Sequence, residues 1–192
     1  TTNGTNWIPL SDNLPQIGVS GIAVSPTNSN IIYISTGDCD GSDTYSIGVM
    51  KSIDGGLSWS TTGLTFTNTN TFSGDILINP SDVNMLWVAT SNGIYKSTNA
   101  GVTWTNTRTG DFSQGRIRLK PNEPNTVYAV SQNRFYKSTD AGSTFVATAT
   151  GLPTSSGRMI MDVTPANANI IYILSSNSSG GFQGIYKSID SG

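Results

Sequence analysis

The segment Ser52–Trp59, with the sequence SIDGGLSW, decides how this chain folds because it recurs along the sequence. Close variants are STNAGVTW at Ser97–Trp104 and STDAGSTF at Ser138–Phe145, and a fourth copy, SIDSG, begins at Ser188. We call this segment the box turn. Its acidic or amide residues lie 45, 41 and 50 residues apart, at Asp54, Asn99, Asp140 and Asp190. A fixed period of this size indicates a repeat protein.

Each box turn is the last part of a longer repeat with four predicted strands. Strand A ends before a proline, and strand B carries a large ring in runs such as NIIYI and NMLWV. Strand C ends in Lys-Ser immediately before the box turn, and strand D begins at the aromatic residue that closes it. Four short strands in about 40–45 residues are typical of one propeller blade. The sequence therefore predicts an all-β fold, a β-propeller with four-stranded blades and four visible repeats.

The box turn has residues that stabilise a tight connection between two strands. The side chain of Asp54 can accept hydrogen bonds from backbone N–H groups two residues on. Gly56 permits a positive φ, and Trp59 can bury a large ring against the turn. The matching acceptors, glycines and rings in the other copies are Asn99, Asp140, Asp190, Gly101, Gly142, Trp104 and Phe145. These features explain a stable hairpin and require no catalysis.

The pattern S-x-D-x-G-x-T-W resembles the Asp-box, or bacterial neuraminidase repeat. Propellers with this repeat include sortilin-type receptors, xyloglucan-active glycoside hydrolases, sialidases and a photosystem II assembly factor. The stretch Tyr33–Trp59 is also similar to segments of large secreted Bacteroidota proteins that use the type IX secretion route. The resemblance covers nearly the whole chain, and Asn99 and Phe145 depart from the pattern while keeping an acceptor and an aromatic ring. It implies a propeller and an extracellular or cell-surface location.

The first residues of the chain also match part of a box turn, because Gly4 and Trp7 fall at the glycine and aromatic positions. Residues 1–18 are therefore expected to be the outer strand and loop of a preceding or closing blade. The four blades are expected at 19–63, 64–107, 108–149 and 150–192, with the last one lacking its final strand. Two arrangements remain open, an arc of a larger propeller and a closed four-bladed ring. We favour the arc, because Asp-box families form larger rings.

The composition excludes several classes of function. Charged residues are 11% of the chain against roughly 25% in typical domains, and the net charge is −2, which disfavours nucleic acid as a partner. With no histidine, the chain cannot form a Ser-His-Asp triad or the usual zinc sites. One cysteine rules out an internal disulfide framework. The absence of any apolar run of about 18 residues predicts no membrane-spanning segment.

Candidate binding residues lie in the D–A and B–C loops, which share one face of a propeller that we call the loop face. Three aromatic residues of the D–A loops are possible ligand contacts: Phe66, Phe72 and Phe112. Three carboxylates of one B–C loop, Asp38, Asp40 and Asp43, could hold calcium, which prefers oxygen ligands. The alternative is an Asp-rich turn whose side chains bond the backbone. No other cofactor is predicted.

The sequence selects no catalytic pair, although a glycosidase needs two carboxyl groups flanking the bond. Arg118 and Asp162 lie three residues before the proline in adjacent repeats, so we expect them to meet near the channel. The predicted function is a non-catalytic secreted or cell-surface module that binds protein or glycan, as part of a longer chain. Two alternatives stay open: a glycoside hydrolase fragment with catalytic aspartates partly outside this window, and secretion cargo captured on its transport machinery.

Overall fold

The computed structural model describes residues 4–10, 14, 18–40, 43–67, 70–148 and 150–192. Within these residues the chain forms fifteen β-strands and no helix, so no helix is available that could cross a membrane. All pairings between strands are antiparallel, and neighbouring strands in each sheet follow one another in sequence. The strands form three four-stranded sheets and one three-stranded sheet, which we call blades 1 to 4.

Each blade begins with its inner strand. Blade 1 contains β1 (Val19–Ser25), β2 (Asn28–Thr36), β3 (Gly48–Ser52) and β4 (Ser60–Thr65). Blade 2 contains β5 (Ser73–Ile78), β6 (Leu86–Thr90), β7 (Gly93–Ser97) and β8 (Thr105–Thr109). Blade 3 contains β9 (Ile117–Lys120), β10 (Glu123–Val130), β11 (Phe135–Ser138) and β12 (Val146–Thr148). Blade 4 contains β13 (Arg158–Val163), β14 (Ile171–Ser176) and β15 (Phe182–Ser188).

These bounds refine the expected blade limits. β4 ends at Thr65 and β8 ends at Thr109, each two residues beyond the expected boundary. Of the expected strand and loop at residues 1–18, only residues 4–10, 14 and 18 are among those the structure describes.

The blades fan around one axis. The inner strands β1, β5, β9 and β13 contact one another in succession, and three apolar clusters fill the spaces between successive blades. The side chains of Tyr33, Trp87 and Tyr128 are at most 1% exposed in these clusters. Burial of both faces of a sheet between its neighbours accounts for the fully buried strand β6 and for the last five residues of β10, which are all buried. The predicted all-β propeller fold is confirmed.

The box turns form through a different set of hydrogen bonds from the one expected. The Ser52 hydroxyl accepts the Asp54 and Gly56 N–H groups at 3.3 and 2.8 Å. The Asp54 carboxylate accepts the Ser52 hydroxyl at 2.7 Å and the Ser58 N–H at 2.9 Å. The serine, rather than the aspartate, therefore accepts the N–H two residues on. The aspartate closes the turn from four residues away because the intervening glycines curl the backbone between them.

Successive blades also join through the box turns. The Tyr33 hydroxyl donates to the Ala100 carbonyl at 3.1 Å, and the Trp87 indole donates to the Ala141 carbonyl at 3.1 Å. At the third junction Lys137 Nζ donates to the Ser191 carbonyl at 2.8 Å. In each case the acceptor is the residue that precedes the box-turn glycine. The box turn of one blade is thus a docking point for strands B and C of the blade before it.

Candidate functional site

Charged side chains converge on the axis, where the inner strands meet. Asp75 lies on β5, Arg118 on β9 and Asp162 on β13. Arg116 and Arg158 lie at the loop-face ends of β9 and β13. Asp40, from the β2–β3 connection, completes a group that we call the axial cluster. Its six members are Asp40, Asp75, Arg116, Arg118, Arg158 and Asp162.

Asp75 is the most enclosed carboxylate of the axial cluster, with a side chain 13% exposed. Its carboxylate accepts hydrogen bonds from Arg116 Nη1 at 2.9 Å and from Arg118 Nη1 at 2.8 Å. Arg118 Nε donates at 3.0 Å to Asp162, which confirms the predicted approach of these two residues. The same bridges join blades 2, 3 and 4 along the axis.

A second set of bonds crosses the mouth of the channel on the loop face. Arg158 Nη1 lies 2.6 Å from Asp40 Oδ1, so blade 4 contacts the long connection of blade 1. Arg158 Nε donates to the Gln114 carbonyl at 3.1 Å, and Gln114 Nε2 donates to the Cys39 carbonyl at 3.0 Å. Loops of blades 1, 3 and 4 therefore share one polar network at the mouth.

The axial cluster contains three arginines and three aspartates, so its formal charge is balanced. Burial disfavours ionisation of Asp162, but hydrogen bonds from Arg118 and from the Val163 N–H lower the pKa of this carboxyl below its usual value. A glycosidase general acid needs a raised carboxyl pKa. Asp162 is therefore an anion at neutral pH and suits a binding or positioning role.

The three aspartates of the β2–β3 connection are not grouped around one point in the described residues. The Asp38 carboxylate accepts the Asp40 N–H at 2.8 Å, and the Asp40 carboxylate is bonded to Arg158. No group of three potential metal ligands comes together in the part of the chain that the structure describes. The geometry agrees with the alternative of an Asp-rich turn, in which Asp43 is exposed.

The three phenylalanines predicted on the ligand face have different surroundings. Phe72 contacts the ring of Tyr45 with a centroid distance of 5.4 Å, and Tyr45 is 43% exposed. Phe66 packs against Tyr95 at 5.9 Å, beside the core between blades 1 and 2. The prediction for Phe112 is wrong, because this residue is 1% exposed and belongs to the core between blades 2 and 3. Its connection turns inward, where the Phe112 N–H donates to the Thr90 carbonyl.

The sequence indicates Asp75 and Arg116 as strand A residues that can pair, whereas it does not single out Tyr45 and Gln114. Asp75 and Arg116 each lie five residues before the proline of their repeat. Equivalent positions in adjacent repeats also predicted the contact of Arg118 with Asp162. Tyr45 and Gln114 left no comparable signal, because they lie in connections that differ from blade to blade. The repeat predicts the strands that position the site, but it does not predict the course of these loops.

Comparisons with known proteins agree with the fold. No known family model matches the chain. A xyloglucanase of Acetivibrio thermocellus is 31% identical over 116 residues, which cover 54% of this chain and 14% of that protein. The structure of an ancestral GH74 enzyme matches 98% of this chain and 25% of its own, with 24% identity and a TM-score of 0.72. The Niastella koreensis GH74 enzyme matches 88% of this chain and 28% of its own, with 25% identity and a TM-score of 0.63.

The chain is therefore similar to part of a xyloglucanase propeller. It spans about one seventh of the length of the curated relative from Acetivibrio thermocellus and about a quarter of the two solved enzymes. The likeness covers about half of this chain in the sequence comparison and 88–98% of it in the two structural comparisons.

Proposed function

We propose that this chain is a glycan-binding segment of a β-propeller and that its ligand lies on the loop face. The observation that carries the proposal is the polar network at the channel mouth, where Arg158, Asp40 and Gln114 meet from three blades. The similarity to xyloglucanases supports a polysaccharide as the ligand. The module itself acts by binding, as a scaffold, and needs no cofactor.

The residues at the mouth fit the chemistry of a sugar chain. Hydroxyl groups of a sugar are both donors and acceptors, and charged partners bond them strongly. Arg158 and Asp40 are 36% and 63% exposed, so they retain surface that a ligand can reach. Tyr45 belongs to the same connection as Asp40 and presents an exposed ring supported by Phe72. The apolar face of a pyranose can lie against such a ring.

Binding of xyloglucan oligosaccharides by isothermal titration calorimetry tests this proposal. We expect Tyr45→Ala and Arg158→Ala to weaken binding about tenfold or more, which corresponds to about 1.4 kcal/mol. Tyr172→Ala is a matched control, because Tyr172 is 44% exposed, as Tyr45 is, but lies on the outer face of blade 4. A panel of other plant and bacterial polysaccharides extends the test. Absence of binding to every glycan, or equal losses in all three variants, would contradict the proposal.

A second candidate function is that of a glycoside hydrolase segment with catalytic aspartates partly outside this chain. The similarity of the chain to xyloglucanases favours this second function. The carboxylates of the axial cluster can be removed one at a time with the substitutions Asp75→Asn, Asp162→Asn and Asp40→Asn. The assay measures the release of reducing sugar from xyloglucan. Catalysis would be established if the unmodified chain released sugar and one of these variants bound xyloglucan without releasing it. Binding without product release would support the scaffold.

We also propose that the protein is located outside the cell, either secreted or attached to the cell surface. Support comes from the resemblance of Tyr33–Trp59 to secreted Bacteroidota proteins and from the low share of charged residues. Export by the type IX route, with the chain as cargo of that machinery, is the finer form of the proposal. Fractionation of cells that express the complete natural gene, with and without that secretion system, tests it. Retention inside the cell in both strains would exclude it.

A further inference from the structure

On the loop face, the junction between blades 1 and 2 buries hydroxyl groups and exposes an aromatic ring. Thr36, Ser46 and Ser73 are at most 1% exposed. Tyr45, which precedes Ser46 in the sequence, is 43% exposed. The hydrophobic effect alone favours the opposite arrangement, with the ring inside and the hydroxyl groups in water, so this distribution calls for another cause.

The junction between blades 2 and 3 has the ordinary arrangement. Its aromatic pair, Phe112 and Tyr136, is 1% and 7% exposed, with ring centroids 5.2 Å apart. The pair between blades 1 and 2, Tyr45 and Phe72, has nearly the same centroid distance, 5.4 Å. However, no apolar cluster of the described residues includes either of these two rings. Burial in a core is therefore not what holds Tyr45 in place.

Hydrogen bonds between buried hydroxyl groups join the two connections that carry these rings. The Ser46 and Ser73 hydroxyls lie 2.8 Å apart, so the β2–β3 connection of blade 1 is tied to the first residue of β5 in blade 2. The Ser46 hydroxyl also accepts the Gly48 N–H at 3.0 Å. The Thr36 hydroxyl donates to the Gly48 carbonyl at 2.7 Å and accepts the Ile47 N–H at 3.0 Å. Each of these hydroxyls has a partner, and a buried polar network that is satisfied in this way is rigid.

The backbone beside each ring is fixed as well. The Ser46 N–H donates to the Thr71 carbonyl at 2.8 Å, which joins the residue after Tyr45 to the residue before Phe72. The Phe72 N–H donates to the Ser91 hydroxyl at 3.0 Å, and the Phe72 carbonyl accepts the Ser91 N–H at 2.8 Å. Both rings therefore project from segments that are hydrogen-bonded to each other and to blade 2.

Cohesion between blades 1 and 2 has other sources. The apolar cluster of this junction contains Tyr33, Leu86 and Val88, and the Tyr33 hydroxyl donates to the Ala100 carbonyl on the opposite face. The hydroxyl pair of Ser46 and Ser73 lies instead on the loop face, directly beside the two rings. Its position therefore suits the orientation of the rings rather than the assembly of the blades.

We propose that the buried pair Ser46 and Ser73 is a positioning device for a sugar-binding platform formed by the rings of Tyr45 and Phe72. Under the proposed glycan-binding function, on which this inference rests, two residues that do not touch the ligand determine part of its affinity. A ring that is already held in one orientation loses little rotational freedom when the apolar face of a pyranose lies against it. The same ring on a loose connection would lose that freedom on binding, and the affinity would fall.

Calorimetric titration of the full chain with xyloglucan oligosaccharides tests this inference. We expect Ser46→Ala and Ser73→Ala each to weaken binding about three- to tenfold, because each variant leaves the rings to be ordered by the ligand. The double variant should bind about as weakly as either single variant, because both changes break the same hydrogen bond. Two single variants keep the test available if one of them folds poorly.

Ser97→Ala is a matched control for the loss of a buried hydroxyl. Ser97 is also 1% exposed, and its hydroxyl accepts a backbone N–H, that of Gly101, at 2.9 Å. It lies in the box turn of blade 2, on the face opposite the rings. This variant should lower the urea midpoint of unfolding, as the other two variants do, and leave the affinity unchanged.

Fluorine NMR separates positioning of the ring from a general loss of stability. The chain is labelled with 3-fluorotyrosine, and the signal of Tyr45 is identified by its absence in Tyr45→Phe. We expect a single narrow Tyr45 signal in the unmodified chain and in Ser97→Ala. In Ser46→Ala and Ser73→Ala the signal should broaden or divide, because the connection that carries the ring is no longer tied to blade 2.

Three results would overturn the inference while the proposed function stands. The first is unchanged affinity in Ser46→Ala and Ser73→Ala when Tyr45→Ala weakens binding. The second is an equal loss of affinity in Ser97→Ala, and the third is a Tyr45 fluorine signal that neither serine variant alters. If instead the unmodified chain bound no glycan, the proposed function itself would fail, and the positioning role would fail with it.

Discussion

Blades 3 and 4 share the order of their first three strands but differ in how deeply their residues are buried. In blade 3, Tyr128 is fully buried, and its neighbours on β10 are buried on both faces of the sheet. In blade 4, the equivalent Tyr172 is 44% exposed, and buried and exposed residues alternate along β14. The difference teaches that the blade that follows, rather than the sheet itself, supplies half of the burial.

The second and third strands pair in the same way in both blades. Tyr128 is opposite Lys137, and Tyr172 is opposite Lys187. Lys137 donates to the Ser191 carbonyl of blade 4, whereas Lys187 Nζ lies over the Tyr172 ring at 5.7 Å from its centroid. The aromatic residue of strand B therefore contributes to stability chiefly through the junction between blades.

The largest expected effect comes from removing these two rings. Tyr128→Ala should lower the free energy of unfolding by about 3–5 kcal/mol, because it leaves a cavity between two blades. Tyr172→Ala should lower it by less than about 1 kcal/mol, since much of this ring is already in water. Urea unfolding at a protein concentration low enough for single chains measures both. Equal losses in the two variants would show that the sheet, and not the junction, holds the ring.

The comparison also shows how much of the molecule the sequence predicts. The period of the box turn predicts four blades, and the offset from the proline predicts the contact of Arg118 with Asp162, because both depend on repeated positions. The asparagine three residues before each strand-B ring also repeats, and its role becomes clear only from the structure. Its carbonyl accepts the N–H of the residue before the box-turn glycine in all four blades, at Asn30, Asn84, Asn125 and Asn169.

Other features could not be predicted because they depend on loops that do not repeat. The inward turn of Phe112 and the contact of Asp40 with Arg158 across the axis both arise from connections of unequal length. Burial in blade 4 could not be predicted either. Its sequence pattern matches that of blade 3, and the pattern does not show that its outer face is exposed.

A smaller effect is expected at two glycines that differ in what lies against them. Gly142, in the box turn of blade 3, has φ 73°, and a Cβ there would lie 2.3 Å from Nε1 of the buried Trp87. Gly151, in the connection to blade 4, has φ 83° and no atom within 4 Å of that position. Both have a backbone conformation that costs a residue with a side chain about 1 kcal/mol.

Gly142→Ala should therefore destabilise the chain by about 2–3 kcal/mol, because Trp87 must also move, and Gly151→Ala by about 1 kcal/mol. Thermal unfolding of the two variants beside the unmodified chain gives both values. If Gly151→Ala proved as harmful as Gly142→Ala, backbone strain alone would account for the loss of stability, and the contact between blades 2 and 3 would contribute little.

The smallest expected effect is a loss of stability at acidic pH. It should occur in box turns that carry aspartate and not in the one that carries asparagine. Slight burial opposes ionisation of Asp140, but hydrogen bonds from the Thr144 hydroxyl and N–H and from Ser138 lower the pKa of this carboxyl from 3.8 to about 2. A carboxyl whose pKa is lower in the folded chain than in the unfolded chain stabilises the fold at pH values above its pKa in the unfolded chain. That contribution is complete above pH 4 and is lost as the pH falls from about 4 to 2.

Asp140→Asn removes this titration while keeping an acceptor oxygen, as Asn99 does naturally in blade 2, where its Oδ1 accepts the Thr103 N–H at 2.8 Å. We expect the urea midpoint of the unmodified chain to fall more steeply between pH 5 and pH 2.5 than that of Asp140→Asn. Because Asp140 is largely exposed, the difference should be a fraction of that expected for a buried group. Asp54 titrates identically in both proteins and cancels from the comparison. The reverse change, Asn99→Asp, should steepen the dependence on pH, and parallel curves for all three proteins would mean that these turn carboxylates are not held as anions by the fold.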